Sequence, residues 1–362
     1  MDETVQDLLM RLYAFHDLEK EQLVYILDHL DDDSRKMLFD LANKTRIEYY
    51  GRRVFMRGLI EFSNVCKQDC MYCGIRKSNL TVDRYRLSFD DILACCEEGY
   101  DLGYRTFVLQ SGEDFWFSTD SMSQLIRLIK KQYADVAITL SVGERSYETY
   151  KAWYDAGASR YLLRHETASP TLYAAMHPTM TFDHRRACLA NLKQIGYQIG
   201  AGFMVGLPGQ THEDLALDLC YLAQLQPHMI GIGPFIPHHA TPLADSKGGT
   251  IDDTLVMIAL ARLIVPDGLL PATTAIGSLH SRGRELALQA GANVVMPNLS
   301  PTMVRPKYEL YENKICTGDE SAACRACIEL RIHAAGYTVD MQRGDSVRIT
   351  PYDAQAEMMM KN

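Results

Sequence analysis

The sequence predicts a parallel α/β barrel of eight strand–helix units, and three observations predict it. Eight short apolar runs rich in β-branched residues recur between residues 53 and 296, with helical stretches between them. The span they fill, 53–300, matches the roughly 250 residues of a (βα)8 barrel. Polar groups follow several of the runs: Ser111-Gly112-Glu113-Asp114, Gly206-Leu207-Pro208-Gly209 and Pro237-His238-His239. Such a barrel builds its active site at the C-terminal ends of its strands. An open, doubly wound sheet would show a similar alternation and is the competing architecture.

Taken in order, residues 1–50 read as a helical extension. Leu8, Leu9, Leu12 and Tyr13 recur at spacings of three and four, as do Leu23, Ile26, Leu27 and Leu30, then Met37, Leu38 and Leu41. The expected strands are 53–62, 105–110, 136–142, 159–165, 197–205, 228–236, 270–276 and 292–296. The expected helices are 88–102, 119–132, 146–156, 183–195, 211–224, 250–264 and 281–290. Ser88 ahead of Asp90 and Asp91, and Thr211 ahead of Glu213 and Asp214, are N-cap signatures that set acidic side chains at the positive helix end. The organisation expected is an extension over 1–50, a barrel over 51–300 and a C-terminal segment over 301–362.

The chain has 362 residues, 47% hydrophobic and 23% charged, which excludes disordered and collagen-like classes. It has no run of about 18 apolar residues to span a membrane. Its first residues, MDETVQDLLM, lack a basic n-region, so a cytoplasmic protein is expected. A net charge of −9 argues against nucleic acid as the main partner.

Ten cysteines carry more information. Without an export signal, clustered thiols read first as metal ligands or catalytic groups. Cys95, Cys96, Cys188 and Cys220 fall in helical patterns and read as small buried hydrophobes. The other six form two groups. In EFSNVCKQDCMYCG, Cys66, Cys70 and Cys73 lie in the loop after the first strand. A structural zinc normally takes four protein ligands, and no fourth Cys or His lies near in the sequence. A cubane iron–sulfur cluster needs four ligands. Three thiolates would leave one iron open to a small molecule, with Tyr72 as a shield.

The pattern CxxxCxYC after the first strand resembles the signature of the radical S-adenosylmethionine (SAM) superfamily. EFSNVCKQDCMYCGIR, VLQSGED, RYLLRHETASP, GAGFMVGLPGQT, GIGPFIPH, PATTAIG and NVVMPN, in this order, resemble the [FeFe]-hydrogenase maturase HydE family over residues of about 50 to 330. The resemblance implies a complete (βα)8 TIM-type barrel holding a 4Fe-4S cluster, with SAM chelating the open iron and cleaved to a 5′-deoxyadenosyl radical. It implies a small organometallic substrate, an iron–cysteine carbonyl cyanide precursor of the diiron subcluster. It also implies the other hydrogenase maturases as partners, and a ferredoxin- or flavodoxin-like electron donor is expected.

Residue roles carry over on the matching motifs. The resemblance implies that Glu166 contacts the amino-acid end or ribose of SAM and that Arg185 grips its carboxylate, with Arg186 one register away. It ties Arg164 to the reaction cavity. Gln110, Ser111 and Ser141 suit hydrogen bonds to ribose or substrate, and Gly206 and Leu207 would let backbone approach the adenine. Thr273, Thr274 and Met296 would face the cavity and Tyr308 would close it. Arg57, a cation inside the first strand, needs an anionic partner and suits substrate binding. For each of these the plain alternative is a rim salt bridge, a tight turn or a packed side chain. His238 and His239 read as loop residues, because adjacent histidines point apart.

The second group, Cys316, Cys324 and Cys327, matches an accessory iron–sulfur cluster of some family members, with zinc as the rival. Biotin synthase sets barrel cysteines on strands, whereas here Cys95, Cys96, Cys188 and Cys220 fall in helices. Methylornithine synthases lack the 316–327 cysteines. A non-catalytic iron–sulfur scaffold would need no clamp such as Glu166 and Arg185.

Overall fold

The N-terminal periodicity becomes three helices, α1 (Val5–Phe15), α2 (Lys20–His29) and α3 (Asp32–Tyr50). The fold is that of a computed structural model, which describes residues 4–318 and 320–349; the rest of the expected C-terminal segment lies outside the described residues. Leu8, Leu9, Leu12, Leu23, Ile26 and Leu38 are all buried. They lie on the inner faces of helices that pack against the barrel-side helices described below.

The first unit contains β1 (Arg53–Met56), β2 (Gly58–Ser63) and α4 (Phe89–Asp101), and then follow β3 (Thr106–Ser111), α5 (Thr119–Gln132), β4 (Ala137–Ser141), α6 (Tyr147–Ala156) and β5 (Ala158–Leu162). Next come α7 (Pro170–Met176), α8 (Phe182–Ile195), β6 (Gln198–Ala201), β7 (Met204–Val205), α9 (His212–Leu225), β8 (Met229–Ile230) and β9 (Gly233–Pro234). The described chain ends with α10 (Ile251–Ile264), α11 (Thr274–Leu279), α12 (Gly283–Gln289), β10 (Val294–Val295), α13 (Ser321–Ala334) and β11 (Thr338–Asp340). The caps form as their sequence signatures predict: Ser88 with Asp91, and Thr211 with Asp214, close capping boxes on α4 and α9. Helix α2 lies on α9 and α3 on α10, so the extension packs on the outer helical layer.

A six-stranded parallel sheet runs in the order β2-β3-β4-β5-β6-β8. Strand β1 pairs in parallel with β10 and β11. The regular ladder does not run round the whole circuit. Beyond β8, parallel contact continues as single bridges, Met229 to Leu269 and Pro271 to Val294, and Leu59 bridges Asn298.

Three expected strands are split. The first breaks at Arg57. The fifth breaks near Gly202, whose φ of +145° admits little but glycine. The sixth breaks between Ile230 and Gly233. The expected seventh strand, 270–276, is corrected: Thr273 accepts a hydrogen bond from the Ile276 amide and caps α11, so the chain turns helical at that point. Of the four isolated cysteines, Cys95, Cys96 and Cys188 are buried on inward helix faces, and Cys220 is partly covered.

The end of the barrel where the strands begin is filled by the segment after β11. The Arg57 guanidinium donates to the Gly344 carbonyl at 3.1 Å. Arg160 reaches the Arg343 carbonyl and Asp345, and Gln198 donates to Asp345 at 2.8 Å. Burial works against the Asp345 carboxylate, but Arg160, Arg343 and the Gln198 amide outweigh it and hold its pKa well below the usual range. A depressed folded pKa gives stability that is complete above the unfolded value and is lost as pH falls from there to the folded value. Asp345→Asn should therefore cost about 2 kcal/mol at neutral pH. The gap between the two urea midpoints should start to narrow below about pH 4 and go on narrowing towards about pH 2. A gap of unchanged size at the lower pH would place the effect elsewhere.

Candidate active site at the C-terminal ends of the strands

Strand register sets the first row of the site. Glu61 of β2 lies beside Gln110 of β3, which lies beside Ser141 of β4, and Ser63 beside Ser111. The cysteine loop leaves β2 directly above this row. Hydrogen bonds from several side chains hold its shape. The Arg84 guanidinium donates to the carbonyls of Asn64, Ile75, Arg76 and Asn79 at 2.6–3.1 Å. Asn64 ties the loop base to Tyr85, Asp83 and Lys307. Asp69 takes Arg76 at 2.6 Å and the Ser78 hydroxyl.

Burial pushes the Cys66 thiol up. Burial and the neighbouring sulfurs push Cys70 well up and Cys73 to about 12. Three such thiols ionise together only against a compensating cation. The Glu113 N–H donates to Cys66 Sγ at 3.3 Å, which favours the thiolate. The three sulfurs do not all lie within 4.8 Å of one another. A single tetrahedral ion would draw them to about 3.8 Å, from metal–sulfur bonds of about 2.3 Å. A wider, multinuclear group with three thiolate ligands fits this donor set.

Beneath the loop, the Tyr72 hydroxyl meets His177 Nε2 at 2.9 Å, and His177 Nδ1 meets the Tyr173 carbonyl at 3.0 Å. A carbonyl only accepts, so Nδ1 carries the proton and Nε2 accepts from Tyr72. Burial lowers the His177 pKa to about 3, so the ring stays neutral.

Glu113 locks the loop to the strand ends. One of its oxygens takes Gln68 and Lys67, both at 3.0 Å, and the other takes the Glu144 amide at 3.1 Å. Next along the barrel, Arg164 meets Glu166 at 2.9 Å. Glu166 has φ of +67°, a conformation uncommon for a residue with a side chain. It is held there by backbone bonds to Gly202 and Met204. Buried Arg185 donates to Glu144 at 2.6 Å and to the Arg164 carbonyl. It thereby braces the turn that presents Arg164 and Glu166, and its outer nitrogen lies beside Met180. The amides of Gly206 and Leu207 are both taken by Gln210. Leu207 joins Leu172, Met176, Met204 and Phe235 in an apolar cluster against which Met71 and Tyr72 pack.

Glu61 anchors the far side. It takes Lys314 at 2.6 Å and buried Asn298 at 2.8 Å, and the Lys314 ammonium also reaches the Tyr308 carbonyl. Burial first, then the charge of Glu61, holds the Tyr308 hydroxyl well above its usual pKa, and Lys314 lies 4.9 Å from the centre of its ring. A small cleft opens beside Glu61, lined also by Thr274, Met296, Arg284 and Cys316.

The structure thus gathers Cys66, Cys70, Cys73, Gln110, Ser111, Ser141, Arg164, Glu166, Arg185 and Tyr308 at one end of the barrel. Thr274 and Met296 line the cavity with the second thiol group, while Thr273 caps α11. Arg57 does not join them: it lies at the opposite end, on the Gly344 carbonyl. Cys316 and Cys324 face each other, and Arg284 reaches Cys316 Sγ at 3.6 Å through both terminal nitrogens; Cys327 is exposed on α13.

The sequence reading missed Glu61, Glu113, Glu144, Arg84 and Lys314. Glu61 carried a usable signal, a carboxylate inside an apolar strand run, the same signal that drew notice to Arg57. Among the described residues, one trio brings ligand atoms within 4.8 Å: His238, His239 and Glu312. Its two rings stack at 4.4 Å, so their in-plane lone pairs run side by side rather than converge. His238 instead walls the cysteine loop, where a Cβ on Gly74 would come within 2.6 Å of its ring.

These features match known proteins. Residues 60–219 match the family model described as Radical SAM superfamily. The chain is similar in structure to methylornithine synthase (PylB), with TM-score 0.81 and 25% identity over 97% of this chain and 99% of that one. It also shares its fold with HydG, described as a maturase of the [FeFe]-hydrogenase, at TM-score 0.79 and 20% identity over 93% of this chain and 75% of that one. In sequence it is 46% identical to the [FeFe] hydrogenase maturase subunit HydE of Thermotoga maritima, over 88% of this chain and 90% of that one. It is 29% identical to 3-methylornithine synthase of Methanosarcina barkeri over 79% and 81%. The chain belongs to the HydE family of radical SAM enzymes.

Gly112 offers a test of the loop geometry. A Cβ there would fall 2.8 Å from Cys66 Cβ and overlap the Val65 carbonyl. Gly112→Ala should cost about 1–3 kcal/mol through this overlap and displace Cys66. Iron and sulfide retained per chain after anaerobic reconstitution should fall while the far-UV circular dichroism stays unchanged. Full retention of both would show that the loop absorbs the shift.

Proposed function

We propose that this protein acts in [FeFe]-hydrogenase maturation, processing a small iron–cysteine carbonyl cyanide precursor of the diiron subcluster inside its barrel. The observation that carries the reading is the cysteine loop, set above Gln110, Ser141, Arg164 and Glu166 and beside a chamber wall holding Glu61 and Tyr308. The 46% identity to a HydE relative supports it. When bound, the 4Fe-4S cluster and SAM supply a 5′-deoxyadenosyl radical by reductive cleavage.

The chain's own residues bind, orient and exclude water. Cys66, Cys70 and Cys73 would hold the 4Fe-4S cluster, and SAM would bind beside it. Glu166, set by its left-handed backbone, meets the amino-acid end or ribose. Arg185, already charged against Glu144, holds the carboxylate side in register through Arg164. Gln110, Ser111 and Ser141 offer hydrogen bonds along the strand ends, and Gly206 and Leu207 border the adenine. Arg164, Thr273, Thr274 and Met296 contact the substrate, and Tyr308 closes its chamber.

The single bridges beyond β8 complete the barrel in this reading, and enclosure keeps a radical from solvent. Cys316 and Cys324, with Cys327 on α13, would hold an accessory cluster. The protein works in the cytoplasm with the other maturases and an external electron donor. The structural match to methylornithine synthase supports a second reading, an isomerase of an amino acid.

The test is anaerobic. The reconstituted protein is reduced and given SAM, with the iron complex, lysine, dethiobiotin or no substrate, and 5′-deoxyadenosine and adenosylated products are measured. Stimulation by the iron complex, lost in Cys70→Ala, is expected. Stimulation by lysine or dethiobiotin instead would move the protein to a sister activity. No SAM cleavage with a filled cluster would leave a scaffold.

A further inference from the structure

Two large aromatic side chains stand in solvent beside the cysteine loop. Of the chain's two tryptophans, Trp153 is fully buried, whereas Trp116 is 59% exposed and its neighbour Phe115 is 54% exposed. Their loop is well anchored: Asp114 takes Arg86 through both oxygens, the Ser63 hydroxyl and the Trp116 amide. The aromatics are therefore presented by a fixed backbone. Two cations lie over the Phe115 ring, exposed Lys67 at 3.8 Å and buried Arg145 at 4.3 Å, and exposed Arg86 lies 5.7 Å from the Trp116 ring. Lys67 follows Cys66 in the chain, and Glu113, two residues before Phe115, donates its N–H to Cys66 Sγ. The aromatic step is thus one side chain removed from a cysteine ligand.

The charge of this face opposes that of the molecule. The chain carries −9 overall, but residues 64–86 contain five basic and two acidic side chains. The carboxylates that pair with the cations turn inward: Glu113 is 5% exposed and Asp114 3%, while Lys67 and Lys77 reach solvent. An apolar aromatic step flanked by solvent-facing Lys67 and Arg86 fits an acidic protein partner.

We infer that Phe115 and Trp116, with Lys67, Lys77 and Arg86, form the docking surface for an acidic one-electron carrier protein. The inference rests on the radical SAM reading, which requires one electron per SAM cleaved. The carrier is oxidised by one electron, the SAM sulfonium takes it up as the S–C5′ bond breaks, and methionine leaves.

The test uses the reconstituted holoprotein with flavodoxin as probe, and has two readouts. Binding of oxidised flavodoxin is measured by surface plasmon resonance, and 5′-deoxyadenosine formation is compared with reduced flavodoxin and with dithionite. Phe115→Ser/Trp116→Ser should raise the flavodoxin Kd by about tenfold or more. Lys77→Glu, a change at an exposed side chain, should raise it about threefold and flatten its salt dependence. Dithionite-driven cleavage should stay within about twofold in both, since a small reductant needs no docking patch. If the double variant loses its cluster, Lys77→Glu alone decides. An unchanged Kd, no flavodoxin binding by the unaltered protein, binding governed instead by self-association, or parallel loss of the dithionite rate would each overturn the inference. No dithionite-driven cleavage in the unaltered protein would sink the radical SAM reading, and this inference with it.

Discussion

Arg84 gathers four backbone carbonyls of the cysteine loop onto one guanidinium, and the site depends on that arrangement. A loop bearing three half-buried thiols has little apolar packing beyond Met71 and Tyr72 to define it, and its thiolates repel one another. A fixed planar fork supplies the missing scaffold, and its charge lies where the sulfurs need it. Glu113 extends the frame downwards by joining Gln68, Lys67 and the Glu144 amide. Glu144 then holds Arg185, and Arg185 holds the Arg164 carbonyl. One chain of charged hydrogen bonds therefore runs from the first cysteine to the turn that carries Glu166. Each carboxylate in it is buried and satisfied, which is the condition under which such networks specify geometry rather than merely cost desolvation.

The two ends of the barrel solve opposite problems with the same residue type. At the strand beginnings, Arg57 and Arg160 are spent on the returning segment at 343–345, and the core is closed there. At the strand ends, Arg164 and Arg185 are paired with the Glu166 and Glu144 carboxylates. A radical-generating enzyme needs this asymmetry, because the reactive species must meet only its target. The segment after β10 contributes to both ends: Tyr308 and Lys314 cover Glu61, and residues 343–345 seal the base.

The alternation of strands and helices, the helix caps and the inward cysteines were legible because they are local. A capping box is decided within four residues, and a period of 3.6 or 2 within a dozen. Where strands end was less legible. Gly202 and Thr273 terminate pairing through a positive φ and a side-chain cap, and the apolar run looks continuous across both. Glu61 and Arg57 illustrate the same limit within one strand. Both are charges in an apolar run only four residues apart, yet one faces the site and the other the sealed end.

The sequence by itself marked the cysteine loop as a ligand group, because Cys66, Cys70 and Cys73 sit on one short stretch, and its resemblance to the radical SAM signature supplied the chemistry. It also determined the repeating architecture through periodicity. Only the tertiary structure decided which distant residues share a chamber. Thr274, Met296, Lys314 and Cys316 meet Glu61 across more than two hundred residues of chain. Only strand register and the return of the C-terminal segment bring them together, and neither is encoded in any single stretch of residues.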